Sequence, residues 1–409
     1  MKTLLVIGHT FPEPTTTAAG KRMLQLLQLF DEQGYSITFA STATTTQRTA
    51  NTEMTGIELV SILLNDASFD EFICELDPTV VMFDRYMTEE QFGWRVTQQC
   101  PKALLILDTE DLHFLRKARE LAIKDGREVE KADLFTETAK RELASIYRCD
   151  LSLIISEAEM DLLEKRFNVP KEILYYLPLF CTSPSEEQIE QFPSFENREH
   201  FITIGNFRHA PNADAVMYLK TEIWPLIRKQ IPNARLYIYG AYASETFKKL
   251  HNEKEGFFLM GWVENSSEVL KNARICIAPL RFGAGLKGKI LDAMSFGTPI
   301  ITTEIGAEGI RGQFPFPGRV SHDSIGIVDD AVQLYSNEEH WSEAKSFGFE
   351  IVKKRFQRAL FSEDFILKTE ALQRDLDVHR KSNFVGQILQ HHTLKSTMYM
   401  SKWIEAKNR

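Results

Sequence analysis

The 409-residue sequence has little of several features that define special classes of protein. Its five cysteines are an odd number with no C-x-x-C pair, which argues against a disulfide framework and favours a reducing compartment. It has no low-complexity tract and no apolar run long enough to span a bilayer. Its formal net charge is -9, whereas broad nucleic-acid binding needs a basic surface. These absences predict a folded cytoplasmic protein that does not bind nucleic acid.

What the sequence does have is an alternation of short apolar runs and helical patterns. Five runs rich in β-branched or aromatic residues precede residue 160, from TLLVIGH to LSLIISE, and five follow residue 200, from FITIGNF to PIITTE. This alternation predicts two parallel sheets, each covered by helices on both faces. The opening MKTLLVIGHTFPEP is broken by Gly8, His9 and two prolines before it reaches the form of a signal peptide, so we interpret it as the first strand.

A polar, acidic segment with two prolines separates the two sets of runs. It reads CTSPSEEQIEQFPSFENREH over residues 181–200, and we interpret it as an interdomain linker. We therefore expect a Rossmann-like domain over 1–180, a second over 201–375, and a helical tail over 376–409 that is able to pack back on the first domain. Two facing doubly wound domains form a cleft, and ligands are expected at the carboxyl ends of the strands.

One loop of the second domain has the spacing of a phosphate-binding loop. Residues 283–290 read GAGLKGKI, close to the triphosphate signature G-x-x-x-x-G-K-[ST], but Ile290 lacks the hydroxyl that would bind magnesium. Lys287 and Lys289 lie at the start of the helix that follows, where backbone amides already favour anions. Asp292 lies one turn further. The pattern suits a nucleotide, with lysine on the diphosphate and the carboxylate on the ribose, and it disfavours a triphosphatase.

Two other loops at predicted strand ends carry candidate anion-binding residues. Gly20 precedes Lys21 and Arg22 at the start of a helix, so it either allows an anion to approach the backbone or forms a plain turn. Arg208, in the stretch GNFRHAPNADAV, either points into the cleft and clamps a phosphate or is an ordinary solvated side chain.

The stretch LLILDTEDLHFLRKARE ends a very apolar strand in a cluster of ionisable residues. They are Asp108, Glu110, Asp111, His113 and Arg116. Carboxylates and an imidazole at the carboxyl end of a strand are positioned for ligand contact or proton handling. A metal site built from Asp108 and Glu110 is one alternative, and a helix start with Asp111 as its N-cap is another. No other spacing of His, Cys or acidic residues predicts a metal site.

Four stretches together resemble retaining glycosyltransferases of the GT-B fold, especially the family-4 type known as glycosyl transferases group 1. They are DTEDLHFLRKARE, CDLSLIISEAEMDLL, the segment from GNFRHAPNADAV to NARLYIYG, and APLRFGAGLKGKILDAMSFGTPIITTEIGAEGI. The last is the most diagnostic. The resemblance implies a hexosyltransferase of polysaccharide biosynthesis that needs no cofactor or metal. It would move sugar from a nucleoside-diphosphate sugar to a glycan or lipid-linked acceptor, with retention of configuration.

Carried over by position, the resemblance also assigns roles to residues of both domains. The donor-binding residues would be Gly20, Arg208, Gly283, Gly285, Lys287, Lys289, Asp292, Gly306, Ala307 and Glu308. The catalytic residues would be His113, near the transferred sugar, and the phosphate-binding Lys287 and Arg208. The acceptor-side residues would be Asp108, Glu110, Asp111 and Arg116.

The chain departs from the family pattern at two positions. Many relatives have two glutamates separated by seven residues, the first on the sugar and the second on the ribose. Here these positions are Ala284 and Asp292, so the amides of 283–285 or the carboxylate of Glu308 are candidate replacements. A non-catalytic nucleotide-sugar-binding protein and a GT-B-fold epimerase or phosphorylase stay open as alternatives. Peripheral membrane contact and the oligomeric state stay open as well.

Overall fold

The structure, a computed structural model, describes residues 2–50 and 56–408. The strands within these residues form two sheets, one in each half of the chain. Those of the first half are β1 (Thr3–Gly8), β2 (Ser36–Ser41), β3 (Glu58–Ser61), β4 (Val80–Asp84), β5 (Leu104–Asp108), β6 (Leu151–Ile154) and β7 (Leu174–Tyr176). Those of the second half are β8 (Phe201–Ile204), β9 (Leu236–Tyr239), β10 (Phe257–Gly261), β11 (Ile275–Ala278), β12 (Ile300–Thr302) and β13 (Gly318–Val320).

Helices connect the strands and cover both sheets. In the first half they are α1 (Ala18–Asp31), α2 (Ser68–Leu76), α3 (Tyr86–Gln99), α4 (His113–Lys124), α5 (Glu137–Arg148) and α6 (Glu157–Phe167). They continue with α7 (Glu186–Gln191), α8 (Ala210–Tyr218), α9 (Trp224–Gln230), α10 (Glu245–Lys248), α11 (Ser266–Asn272), α12 (Gly288–Ser295), α13 (Glu304–Ala307), α14 (Ser324–Ser336) and α15 (Glu338–Ile351). The last are α16 (Ser362–Arg374), α17 (Leu376–Ser382) and α18 (Phe384–Asn408). Shorter 3-10 and π-helical segments are Lys131–Leu134, Lys171–Ile173, Leu219–Ile223, Val352–Phe356 and Arg358–Leu360.

Both sheets are parallel and doubly wound. The first has the order β3-β2-β1-β4-β5-β6-β7 and the second β10-β9-β8-β11-β12-β13. The order therefore reverses between β1 and β4 in one sheet and between β8 and β11 in the other, and ligands bind at such switch points. The central strands β4 and β5 read VVMFD and LLILD and are buried throughout, as expected for strands covered on both faces. The predicted fold class, two facing doubly wound domains, is confirmed.

The last three helices pack on the first domain. Phe365 of α16 meets Phe30 of α1 edge to face, with ring centroids 5.8 Å apart. Arg380 of α17 forms an ion pair with Asp150 at 2.8 Å, and α18 packs against α3 and α5. The chain thus returns to the first domain before residue 376, the position at which the sequence predicts that the tail begins. None of the helices in the described residues is long and apolar enough to cross a membrane.

Candidate functional site

The two domains meet through the loops that follow the carboxyl ends of their strands. The element after β6 contacts the loop after β11, because Glu159 accepts a hydrogen bond from the Gly285 amide at 2.9 Å. The helix α4, which follows β5, contacts the segment after β12, because Arg119 forms a bidentate ion pair with Glu308 through N···O distances of 2.7 and 2.9 Å. The predicted cleft is therefore lined by the predicted strand ends, and residues from both domains meet across it.

Lys287 is the N-cap of α12 and is almost completely buried. Its ammonium donates to the carbonyls of Gly285 at 2.6 Å and Ala284 at 3.3 Å. Burial lowers the pKa of Lys287 to about 8, although the Glu308 carboxylate pulls the pKa upward. An ammonium has three N–H donors, and two are accounted for within the described residues. The third is available to an anion at the start of the helix.

Two more cations lie at the switch point between β8 and β11. Lys289 donates to the Asn212 side chain at 2.7 Å, and burial lowers the pKa of Lys289 to about 8. The guanidinium of Arg208 is exposed and lies over the ring of Tyr242, 3.7 Å from its centroid. Lys287, Lys289 and Arg208 thus form a basic wall on the second domain, at the place where this fold binds ligands.

The predicted ribose contact is paired with the first domain in this structure. Asp292 lies 2.6 Å from the ammonium of Lys21, so its carboxylate is held by a cation across the cleft. Gly20, the neighbour of Lys21, is buried, and a Cβ there would lie 2.6 Å from the backbone of Glu13. Glycine is therefore needed so that the loop after β1 can fold against the first turn of α1. Contact of Gly20 with a phosphate, and of Asp292 with a ribose, stay predictions.

The loop 283–285 is fitted closely against the first domain. Gly283 has φ 149° and Gly285 has φ 64°, and a Cβ at Gly285 would lie 2.9 Å from Cβ of Asp111. The side chain of Ala284 is buried in a hydrophobic cluster whose other described members belong to the first domain. A longer side chain at 284 would therefore enter the first domain, which gives Ala284 a packing reason of its own.

Glu159 is a residue that the sequence analysis did not single out. It is fully buried, and its Oε1 accepts hydrogen bonds from Leu112 and Gly285 amides, both at 2.9 Å. Its Oε2 is buried and has no hydrogen-bond partner within the described residues. Burial and the nearby Asp111 carboxylate raise the pKa of Glu159 to about 8. Glu159 lies inside the stretch CDLSLIISEAEMDLL. A glutamate on the inward face of the helix α6 was the sequence feature that could have indicated its role.

Arg119 was also missed, although it lies three residues after Arg116 on α4. Besides pairing with Glu308, it donates to the Gly283 carbonyl at 2.7 Å. Burial opposes ionisation of Glu308, but the hydrogen bond and charge of Arg119, together with the charge of Lys287, outweigh it and lower the pKa of that carboxyl. Arg119 therefore holds two loops of the second domain.

The amides of Gly306 and Ala307 are already used inside α13. The Gly306 amide donates to the Thr303 side chain at 3.2 Å, and the Ala307 amide donates to the Thr303 carbonyl at 2.9 Å. The family resemblance implies that these amides lie beside the sugar or its phosphate. In this structure they cap a helical turn, and the neighbouring Glu308 presents a carboxylate at this point of the cleft.

Asp108, expected on the acceptor side, has a structural position. It is fully buried and paired with Arg22 through distances of 2.9 and 3.0 Å, and Arg22 is itself 1% exposed. An acceptor has no access to it. Glu110 is different: its backbone is left-handed with φ 60°, and its Oε1 is buried without a described partner. Burial and the charge of Asp108 raise the pKa of Glu110 well above its usual value.

His113 opens α4, but Asp111 is not the N-cap of that helix. The cap position is Leu112, and the buried carboxylate of Glu142 takes the role of a cap by accepting from the His113 and Phe114 amides at 3.1 and 3.0 Å. The alternative that Asp111 caps the helix is therefore wrong.

Asp111 and His113 are instead side-chain partners within the acidic cluster. Asp111 pairs with Arg116, and although burial pulls the other way, Arg116 and nearby imidazoles lower the pKa of Asp111 to about 2. The Nδ1 atom of His113 lies 3.1 Å from the Asp111 carbonyl and 3.3 Å from Glu142. The acidic wall of the first domain is formed by Glu110, Asp111, His113, Glu142 and Glu159.

No metal cluster accompanies these carboxylates. Across residues 2–50 and 56–408, no group of three or more His, Cys, Asp or Glu side chains is placed to hold a metal ion. The two residues considered as a metal site have other positions: Asp108 is the buried ion-pair partner of Arg22, and Glu110 is a second buried carboxyl.

Two facing doubly wound domains with a ligand cleft between the carboxyl ends of their strands define the GT-B class. The second domain is identified more closely, because residues 198–337 match the family described as Glycosyl transferases group 1. That part of the predicted resemblance is confirmed. No curated protein matches the chain in sequence.

Several solved structures share the fold over nearly the whole chain. A sucrose-phosphate synthase from Thermosynechococcus elongatus is 14% identical, with a TM-score of 0.66, and the match covers 92% of this chain and 100% of that one. A glycosyltransferase from Rickettsia africae is 11% identical, with a TM-score of 0.64 and coverages of 91% and 98%. HepE from Anabaena, solved with UDP and glucose, is 12% identical, with a TM-score of 0.63 and coverages of 90% and 99%.

Proposed function

We propose that this protein is a retaining glycosyltransferase that moves a hexose from a nucleoside-diphosphate sugar to a saccharide or lipid-linked acceptor, without an essential metal ion. The observation that carries the proposal is the basic wall of Lys287, Lys289 and Arg208 at the switch point of the second domain. The family of that domain and the UDP in the similar HepE structure support it.

The basic wall would act on the leaving group. As the bond to the anomeric carbon breaks, negative charge builds up on the departing diphosphate, while the sugar becomes oxocarbenium-like. Contacts that strengthen as this charge develops lower the barrier. Lys287 is suited to this role because its ammonium is desolvated, is held by neutral carbonyls and retains one donor. Its pKa is free to rise when an anion arrives.

Three cations would also take over what a divalent ion does at diphosphates in other enzymes. Lysine and arginine side chains and a helix N-terminus are established phosphate-binding groups. The presence of three cationic side chains at one place in the cleft supports the proposal that the reaction needs no metal ion. Polysaccharide biosynthesis would be the corresponding process.

The acidic wall of the first domain would contact the transferred sugar and the reacting hydroxyl of the acceptor. Hydroxyl groups are donors, and the carboxyl of Glu110, which is 8% exposed, has an oxygen without a described partner. Asp111 is its neighbour in the chain, and His113 lies 3.1 Å from the Asp111 carbonyl. We expect these residues to orient hydroxyls, with His113 near the transferred sugar.

A binding screen tests the donor site directly. UDP, GDP, ADP and their sugar conjugates would be added one at a time in thermal-shift measurements, with and without EDTA. A ligand at a hundred times its Kd should add about 2.7 kcal/mol of stability. A response to none of these compounds would overturn the donor-site proposal, and a response abolished by EDTA would overturn metal independence.

Ala284 favours one second candidate, a protein that binds a nucleotide sugar without transferring it. The position lacks the carboxylate that relatives place on the sugar, and its side chain is buried against the first domain. Tight donor binding with no release of nucleoside diphosphate, with or without an acceptor panel, would favour this candidate. Release of nucleoside diphosphate that depends on acceptor would exclude it.

A further inference from the structure

The interdomain cleft has two ends, and one of them is closed. At the end formed by the loops after β1, β9 and β10, the Tyr242 hydroxyl donates to Glu13 at 2.7 Å. The indole N–H of Trp262 donates to the Thr15 carbonyl at 3.2 Å. These contacts join the domains beside Arg208, so this end belongs to the donor side proposed above.

The other end opens into a groove of about 1140 Å³. One wall comes from the start of α6 and the end of β7 in the first domain, and the other from residues 304–320 in the second. Ala307 and Glu308 lie on its lining, and Glu308 is the carboxylate held by Arg119. A molecule in this groove would therefore reach the middle of the cleft from the side opposite the closed end. The volume slightly exceeds that of typical small-molecule sites and is adequate for more than one sugar ring.

The groove carries positive charge that the protein does not neutralise. Arg311 and Arg319 both line it, and neither makes an ion pair within the described residues. The only described contact of the Arg319 guanidinium is with its neighbour's carbonyl at 3.5 Å. Of the carboxylates on the lining, Glu157 and Asp161 are each paired with a cation, as is Glu308. Glu304 alone remains without an ion pair among these described residues, so the cations are in excess.

The rest of the lining suits a saccharide. Phe316, Phe347 and Tyr176 place aromatic rings along the groove, and apolar ring faces pack well against the C–H faces of sugars. The hydroxyl of Tyr176 is buried and has no hydrogen-bond partner in the part of the chain that the structure describes. A buried polar atom without a partner is costly unless a ligand or water satisfies it.

We propose that this groove is the acceptor site and that it binds an anionic saccharide, whose phosphate or carboxylate group meets Arg311 and Arg319. The inference rests on the proposed glycosyltransferase function and adds to it the place and charge of the acceptor. Arginine is the residue best matched to both anions, because its planar fork binds their oxygens in pairs.

The test uses the full chain, saturated with UDP, and matched pairs of probes. Glucuronic acid and glucose 6-phosphate would be compared with glucose, and a uronic-acid disaccharide and a lipid-linked sugar phosphate with their neutral counterparts, by ligand-observed NMR and calorimetry. We expect the acidic member of at least one pair to bind about tenfold or more tightly than its neutral partner. The pair that responds distinguishes a phosphate from a carboxylate and a soluble acceptor from a lipid-linked one.

A double variant locates the binding in the groove. R311A/R319A should lose the preference for the acidic probe by about tenfold or more, while UDP affinity stays unchanged. K229A/K249A is the control, because it removes the same charge from two exposed lysines of the second domain outside the groove. Equal binding of acidic and neutral probes, or equal effects of the two double variants, would overturn the proposal. If no nucleoside diphosphate binds the wild type, the proposed function itself fails, and that result is read from the same samples.

Discussion

The two walls of the cleft have opposite charge and show opposite effects of burial. On the second domain, burial lowers the pKa of Lys287 from 10.5 to about 8, and on the first domain it raises the pKa of Glu159 from 4.5 to about 8. Each group is therefore held where its charged form is least stable. Such groups gain most from a partner that satisfies them, an anion for the ammonium and a hydrogen-bond donor for the carboxyl. In the proposed function, the diphosphate therefore meets the second domain, and the hydroxyl groups of sugar and acceptor meet the first.

Removal of the buried ammonium should have the largest effect on activity. A charge-assisted hydrogen bond contributes about 1.5–3 kcal/mol, so K287A should lower kcat/KM by roughly 10- to 150-fold. The effect should appear in kcat as well as in donor KM, because charge on the leaving group is greatest in the transition state. Steady-state transfer assays would measure it, with the exposed K229A as a control. Unchanged transfer by K287A would remove the phosphate role.

A carboxylate added to the second domain should not improve the site. A284E restores the glutamate of relatives, but the Ala284 side chain is buried against first-domain residues, and the next residue, Gly285, lies against Glu159 and Asp111. Burial of a polar group without partners costs about 1–3 kcal/mol, so the variant should unfold at lower denaturant concentration and turn over more slowly. A284Q separates size from charge. Faster transfer by A284E would show that the missing glutamate is what limits the enzyme.

The basic wall of the second domain was largely predictable from the sequence, whereas the acidic wall of the first domain was not. Lys287, Lys289 and Arg208 lie in loops whose glycines and position after apolar strands indicate an anion site. Asp108 shows the limit, because a carboxylate after a strand looks the same in sequence whether it faces a ligand or a buried arginine. Its partner Arg22 lies 86 residues away.

Glu159 and Arg119 show a second limit of the sequence. Both act across the cleft, on Gly285 and Glu308, and such contacts depend on how the two domains face each other. The fold is encoded in local patterns of apolar residues, which single-sequence analysis detects. Contacts between domains leave no local pattern, so only the three-dimensional structure brings these residues into the site.

Nucleotide binding should weaken as pH rises through the folded-state pKa of Lys287. Below about pH 8 the ammonium is charged and attracts the diphosphate, and above it the free lysine is neutral. The Kd of UDP should therefore rise by up to about tenfold per pH unit above pH 8, since the diphosphate of UDP is already fully ionised there. Calorimetry at pH 7, 8 and 9 would measure it.

An arginine at the same position separates Lys287 from other titrating groups. K287R stays charged over this range, so its UDP affinity should fall less steeply than that of the wild type between pH 7 and 9, with Lys289 as the remaining titrating lysine of the basic wall. K289R is the matched variant, because burial lowers the pKa of Lys289 to about 8 as well. If K287R and the wild type lose affinity in parallel, Lys287 is not the titrating group at the diphosphate.

The smallest expected effect is on the stability of the protein and comes from Glu159 of the acidic wall. The folded-state pKa of Glu159 is raised, so the folded protein binds more protons than the unfolded chain between about pH 4.5 and 8, and stability should fall as pH rises through that window. E159Q keeps an acceptor for the Leu112 and Gly285 amides but carries no charge. It should be more stable than the wild type at pH 9, by about 1 kcal/mol or more, and should lose that advantage at pH 5. Denaturant unfolding at both pH values would measure the difference, with the exposed E172Q as a control. If E159Q and the wild type differ in unfolding free energy by the same amount at pH 5 and pH 9, Glu159 does not titrate in this range. Burial would then not raise the pKa of Glu159 on the acidic wall in the way that it lowers the pKa of Lys287 on the basic wall.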